Sequence, residues 1–136
     1  MKNLGQNINV GLLILRLSIG GLMLFHGVSK MMHGVGFIEQ TVIAAGLPQW
    51  VTYGVYIGEV VAPLLILIGW GTRAAAAVFA FNCLTAILLV HAAEIFTLSP
   101  HGGWPLELLG LYFFGALVLV FTGGGKYAVS QKHFWD

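Results

Sequence analysis

Residues 50–70 read WVTYGVYIGEVVAPLLILIGW, and this stretch decides the fold. It is apolar from end to end except for a few hydroxyls and one carboxylate, Glu59, placed four residues ahead of Pro63. About 20 apolar residues cross a bilayer core as a helix. A helix is also the form in which a single segment satisfies its own backbone hydrogen bonds in lipid. Three similar stretches flank it, at approximately Val10–Met32, Thr72–Ala93 and Leu106–Thr122, the last slightly short. The chain is 58% hydrophobic and 8% charged, with a mean hydropathy of +0.90, so almost nothing is left for a water-soluble domain. The expected fold is an all-α membrane protein. One domain over residues 1–136 forms a four-transmembrane-helix bundle with helices at approximately 10–32, 50–70, 72–93 and 106–122.

The connections follow from the spans. Gly69, Trp70, Gly71 and Thr72 leave room only for a tight turn, so the second and third helices are antiparallel neighbours. The other two loops, roughly His33–Gln49 and Glu94–Pro105, carry turn residues such as Gly34, Gly36, Gly46 and Pro48, then Pro100, Gly102 and Gly103. An even number of spans puts both termini on one side, together with Lys2, Arg73, Lys126 and Lys132. The positive-inside rule makes that side cytoplasmic. Trp50, Trp70 and Trp104 fall at predicted membrane interfaces. The first stretch is expected to be retained, because Arg16 interrupts it and no small-residue cleavage site follows.

Several function classes drop out. A net charge of +1 without a basic cluster gives no case for nucleic acid. One cysteine, Cys83, excludes an intramolecular disulfide and a Cys-x-x-Cys redox pair, and its place within an apolar span suits packing. Gly123–Gly124–Gly125–Lys126 lacks the spacing and the preceding strand of a phosphate loop, and reads as a helix stop followed by a cytoplasmic tail.

What remains is a set of ionisable residues where lipid would exclude them: Arg16, His26, Lys30, Glu59, His91, Glu94 and Glu107. A charge at mid-helix costs roughly 2.5–3.5 kcal/mol on insertion scales, so a plain anchor would avoid it. Arg16, Gly20, Met23, Gly27 and Lys30 recur at helical spacing on one face, with His26 beside it. Glycines on such a face allow close helix approach. Thr52, Tyr56, Glu59 and Pro63 form a second stripe, and Pro63 places Glu59 at a kink. Glu59 is the expected central counter-ion, reached by Lys30 from one side or in a structural ion pair with Arg16 from the other. The alternative is that the whole set consists of salt bridges that fix helix register. His91-x-x-Glu94 places two potential ligands on one face, but no metal-ligand spacing is complete and no metal is assigned.

The same residues resemble the DoxX family of small membrane proteins. The resemblance rests on Leu15–Arg16–Leu17 with Gly20, Phe25–His26–Gly27–Val28–Ser29–Lys30, Gly46–Leu47–Pro48, Gly58–Glu59, and Leu67–Ile68–Gly69–Trp70–Gly71–Thr72–Arg73–Ala74–Ala75. His91 and the ending Gly123–Gly124–Gly125–Lys126–Tyr127 also fit. The resemblance implies a four-helix, multi-pass protein of the bacterial cytoplasmic (inner) membrane. It implies work beside quinone-linked oxidoreductases or oxidative-stress systems, and it marks Arg16, His26, Lys30, Glu59, Arg73 and His91 as the signature set.

Stripe and resemblance together lead to one expectation: a redox-associated membrane protein that binds a quinone or similar small hydrophobic molecule inside its bundle. His26 and Lys30 would hold the polar end of the ligand. Glu59, with His26, would exchange a proton, and Tyr56, Phe25 and His91 would complete the binding set. No intrinsic cofactor is expected beyond a bound quinone. Expected partners are the lipid bilayer, a membrane or peripheral redox protein, and a second copy of the chain. The rival expectations are a non-enzymatic assembly or scaffold protein, and a transporter of a small solute or protons.

Overall fold

Polar residues do not stop a helix that begins outside lipid, and the first helix starts well ahead of the apolar run. The computed structural model describes residues 2–136, with side chains from residue 7 onward, so the side chain of Lys2 lies outside the described residues. Helix α1 spans Lys2–His33. The segment expected to be a loop after it contains a short helix, α2 (Gly36–Ala44), because its glycines and proline bracket FIEQTVIA rather than interrupt it. Helix α3 (Gln49–Ile68) changes pitch along its length. It begins as a 3-10 turn over Gln49–Tyr53, widens to i→i+5 turns over Ile57–Val61, and ends as an α-helix over Ala62–Ile68. Pro63 has no N–H to offer the carbonyl four residues back, and the chain answers by widening the turn that holds Glu59.

Helix α4 covers Thr72–Val90, shorter than the expected end at Ala93 because a separate 3-10 turn takes over at Ala92–Glu94. Helix α5 covers Glu107–Thr122. No strand occurs among the described residues. Three helices, Asn7–His33, Gln49–Ile68 and Thr72–Val90, are long and apolar enough to cross a membrane, and α5 is apolar but shorter.

The four long helices pack in a ring, α1 on α3, α3 on α4, α4 on α5 and α5 back on α1. Small residues make the close contacts, with Ala75, Ala76 and Ala80 buried on α4. Ile19, Ile66, Phe79, Cys83, Ala116 and Leu119 fill the centre. Cys83 is fully buried there, in the packing role expected of it.

The α3–α4 turn is held from two sides. Gly69 takes a left-handed conformation (φ +76) to end α3, and the chain then turns straight into α4. Arg16 reaches across from α1 and donates from Nε to Ile66 O (2.8 Å), from Nη2 to Leu67 O (2.8 Å) and from Nη1 to Gly124 O (3.1 Å). The first two acceptors are carbonyls at a helix C-terminus, which lack intrahelical partners and carry the negative end of the helix dipole. The tail that follows the helix stop folds back under the turn. Trp135 O accepts from Arg73 N (2.9 Å), and Asp136 Oδ1 accepts from Gly71 N (3.1 Å), so tail residues cap the start of α4.

Candidate ligand cavity

At the end of the bundle away from the tail, the helices leave a cavity of about 590 Å³. Ligand pockets of small molecules fall in the range of roughly 300–1,000 Å³ and are mostly apolar with a few convergent polar groups. Every helix contributes to the lining. Met23, His26 and Lys30 come from α1, Phe37 and Val42 from α2, Thr52 and Glu59 from α3, Asn82 from α4 and Tyr112 from α5. His91, just past the end of α4, lines it as well.

The charged centre is an ion pair in which Lys30 Nζ donates to Glu59 Oε2. The Glu59 side chain is 8% exposed and that of Lys30 28%, so the carboxylate is the buried member and the ammonium reaches in from the cavity mouth. The widened turn of α3 presents Glu59, and Gly27 lets α1 come close enough to meet it. A Cβ at Gly27 would run into the Glu59 carbonyl and the Val60 side chain. The Tyr56 hydroxyl donates to the backbone carbonyl of Lys30 (3.3 Å) and pins the end of α1 to α3. Tyr56 therefore supports the cavity without lining it.

Around this pair stand polar groups without protein partners. Thr52 Oγ1 is buried and makes no hydrogen bond. The Asn82 amide and the Tyr112 hydroxyl have no hydrogen-bond partner among the described residues. His26 lies edge-on to the Tyr112 ring at 6.3 Å. Buried polar groups normally find partners, so the buried Thr52 hydroxyl needs an explanation, while Asn82 and Tyr112 open onto the cavity. Together they offer a cationic donor, a carboxylate acceptor, an amide with both functions and two hydroxyls. That inventory suits a molecule with an apolar body and carbonyl or hydroxyl groups at one end.

The structure corrects part of the expected site. Arg16 does not pair with Glu59: its guanidinium is taken by the three carbonyls described above, at the opposite end of α3's final turns. Phe25 is 74% exposed and points away from the cavity, because the apolar face next to His26 turns outward. His91 Nδ1 lies 3.1 Å from Glu94 Oε2, which joins those two outside the Lys30–Glu59 pair. Arg73 lies at the tail end, with its guanidinium 6.0 Å from the Phe134 ring. No group of three or more metal-capable side chains occurs among the described residues. Asn82 and Tyr112 were missed in the sequence. An amide in the middle of the apolar Thr72–Val90 run was the available signal for Asn82. Tyr112, one aromatic in an aromatic-rich helix, gave none.

Comparison with known proteins places the chain in a family. The DoxX family profile matches residues 11–92. A Haemophilus influenzae protein described as "Uncharacterized protein" is 29% identical over 137 residues, covering 98% of each chain. A Bacillus subtilis protein named "Putative oxidoreductase CatD" is 30% identical over 87 residues, covering 64% of each chain. No solved structure matches. With this family match and its long apolar helices, the chain is a membrane protein that belongs to the DoxX family.

Proposed function

We propose that this protein binds a quinone, or a similar small hydrophobic molecule with a polar end, in the cavity between its helices, and that it serves as a subunit or accessory of a membrane oxidoreductase or oxidative-stress system. The observation that carries the reading is the Lys30–Glu59 pair set among unpaired polar groups in an otherwise apolar cavity. The Bacillus subtilis relative, named "Putative oxidoreductase CatD", supports the redox setting. In this reading the chain crosses the bacterial inner membrane four times, with α5 as the short fourth span and both termini in the cytoplasm.

Lys30 and His26 donate hydrogen bonds to the oxygen of a bound ring. Glu59 is the group that exchanges a proton with it, since it is the buried carboxylate beside the one ammonium that lines the cavity among the described residues. Electrons come from or go to a partner protein. The test is titration of the purified protein with a benzoquinone across pH, for wild type and Glu59→Gln. The reading requires Glu59→Gln to change both the affinity and its pH dependence. Identical curves for the two proteins refute the role of Glu59.

A further inference from the structure

A second hollow, of about 240 Å³, lies between α3 and α4 on the outer surface of the bundle. It adjoins the cavity: Ile57 and Val78 line both. From that shared rim it runs toward the tail between Val61 and Leu65 on one side and Ala74 on the other, and Trp70 and Trp135 close its far end. Among the described residues, no charged side chain lines it. The two hollows therefore lie next to each other along α3 and α4, one carrying the polar groups and the other lined by apolar side chains. At 1.5 Å per helical residue, the rise from Ala74 to Asn82 is about 12 Å.

We infer that the groove between α3 and α4 holds the tail of the ligand whose head occupies the cavity. The occupant is then a membrane-resident lipid, with an oxygen-bearing ring and a linear apolar tail, and not a small aromatic that diffuses in from water. This rests on the reading of the cavity as a ligand site and adds the chemical class. Adjacency argues for this occupant: the two shared residues, Ile57 and Val78, are both exposed, so a tail can pass over them from cavity to groove. A tail leaving the cavity past Ile57 and Val78 enters the groove directly, whereas a separate acyl chain would have to stop at a ring already filling the shared rim. Trp135 forms the far wall because its own carbonyl is held by Arg73 N and Ala74 N, so the folded tail of the chain sets the groove's length.

The test compares two probes on protein in lipid nanodiscs: a tailless dimethoxy-methyl-benzoquinone and the same ring with a decyl tail. Ala74→Trp fills the groove from an exposed position on α4, and Val61→Phe fills it from α3 as an independent variant. Comparing variant with wild type in the same lipid cancels the tail's partitioning into the bilayer. Both variants should leave the tailless ring unchanged and weaken the tailed ring about fivefold, the effect of several lost dispersion contacts. Equal binding of the tailed ring to wild type and both variants overturns the tail groove and leaves the cavity reading standing. Failure of wild type to bind either probe overturns the cavity reading, and this inference with it.

Discussion

Replacing Arg16 with Met removes a charge from a site that is only 1% exposed, and the sign of the effect follows from what the guanidinium touches. It makes three hydrogen bonds, to Ile66 O, Leu67 O and Gly124 O, and these tie α1, the end of α3 and the tail segment together. Hydrogen bonds to charged groups contribute about 1.5–3 kcal/mol each. Removing the charge returns roughly 2.5–3.5 kcal/mol, the insertion penalty of an arginine at mid-span. The bonds win, and Arg16→Met should lower unfolding stability by about 1–6 kcal/mol. Unfolding by SDS titration in mixed micelles measures it. The same assay separates the two partners once expected for Glu59. Arg16→Met and Glu59→Gln should be additive within about 0.5 kcal/mol, because they share no partner. Lys30→Met and Glu59→Gln should show a coupling above that limit. A stability change under about 0.5 kcal/mol for Arg16→Met, or coupling to Glu59 as strong as that of Lys30, would refute the arrangement.

Three further outcomes follow from the geometry. Gly27→Ala should cost about 1–3 kcal/mol by forcing α1 away from the Glu59 carbonyl, and it should weaken benzoquinone binding by drawing Lys30 out of reach; unchanged stability in the SDS titration would contradict the close approach. Thr52→Val keeps the shape and removes an unpaired buried hydroxyl, so stability should hold or rise by about 1 kcal/mol while benzoquinone affinity falls; lost stability would mean the hydroxyl has a partner. Asp136 sits below the usual carboxylate pKa because Ser130 donates to it, aided by the backbone N–H groups of His133, Gly71 and Lys132. A lowered value means its contribution to tail docking is complete above about pH 4 and is lost as pH falls through the shifted value. Protease protection of the tail should therefore be flat from neutral to mildly acidic pH and disappear only below that. Asp136→Asn should weaken protection at neutral pH.

Hydropathy made the spans legible because lipid imposes one rule on every residue of a crossing, and Thr72 and Thr122 fall at helix ends near their expected places. The rule is silent outside lipid, which is why α2 and the folded tail were not foreseen. Lys30 and Glu59 were legible as a charged stripe, and the choice between Lys30 and Arg16 was not. Arg16 is satisfied by backbone carbonyls, and no side-chain pattern announces that a helix end will stand in front of it. Phe25 failed for a related reason. One residue from His26 turns a side chain about 100° around a helix of 3.6 residues per turn, far enough to face lipid instead of the cavity.

The central claim is that the cavity holds a small molecule through Lys30 and Glu59. Its most direct test is gentle purification from native membranes, followed by mass spectrometry of whatever remains bound to wild type and to Glu59→Gln. The account predicts one near-stoichiometric molecule with an oxygen-bearing head and an apolar body, depleted in the variant. A folded wild-type protein with an empty cavity and a single dominant protein partner would contradict it, and would make the chain a scaffold instead.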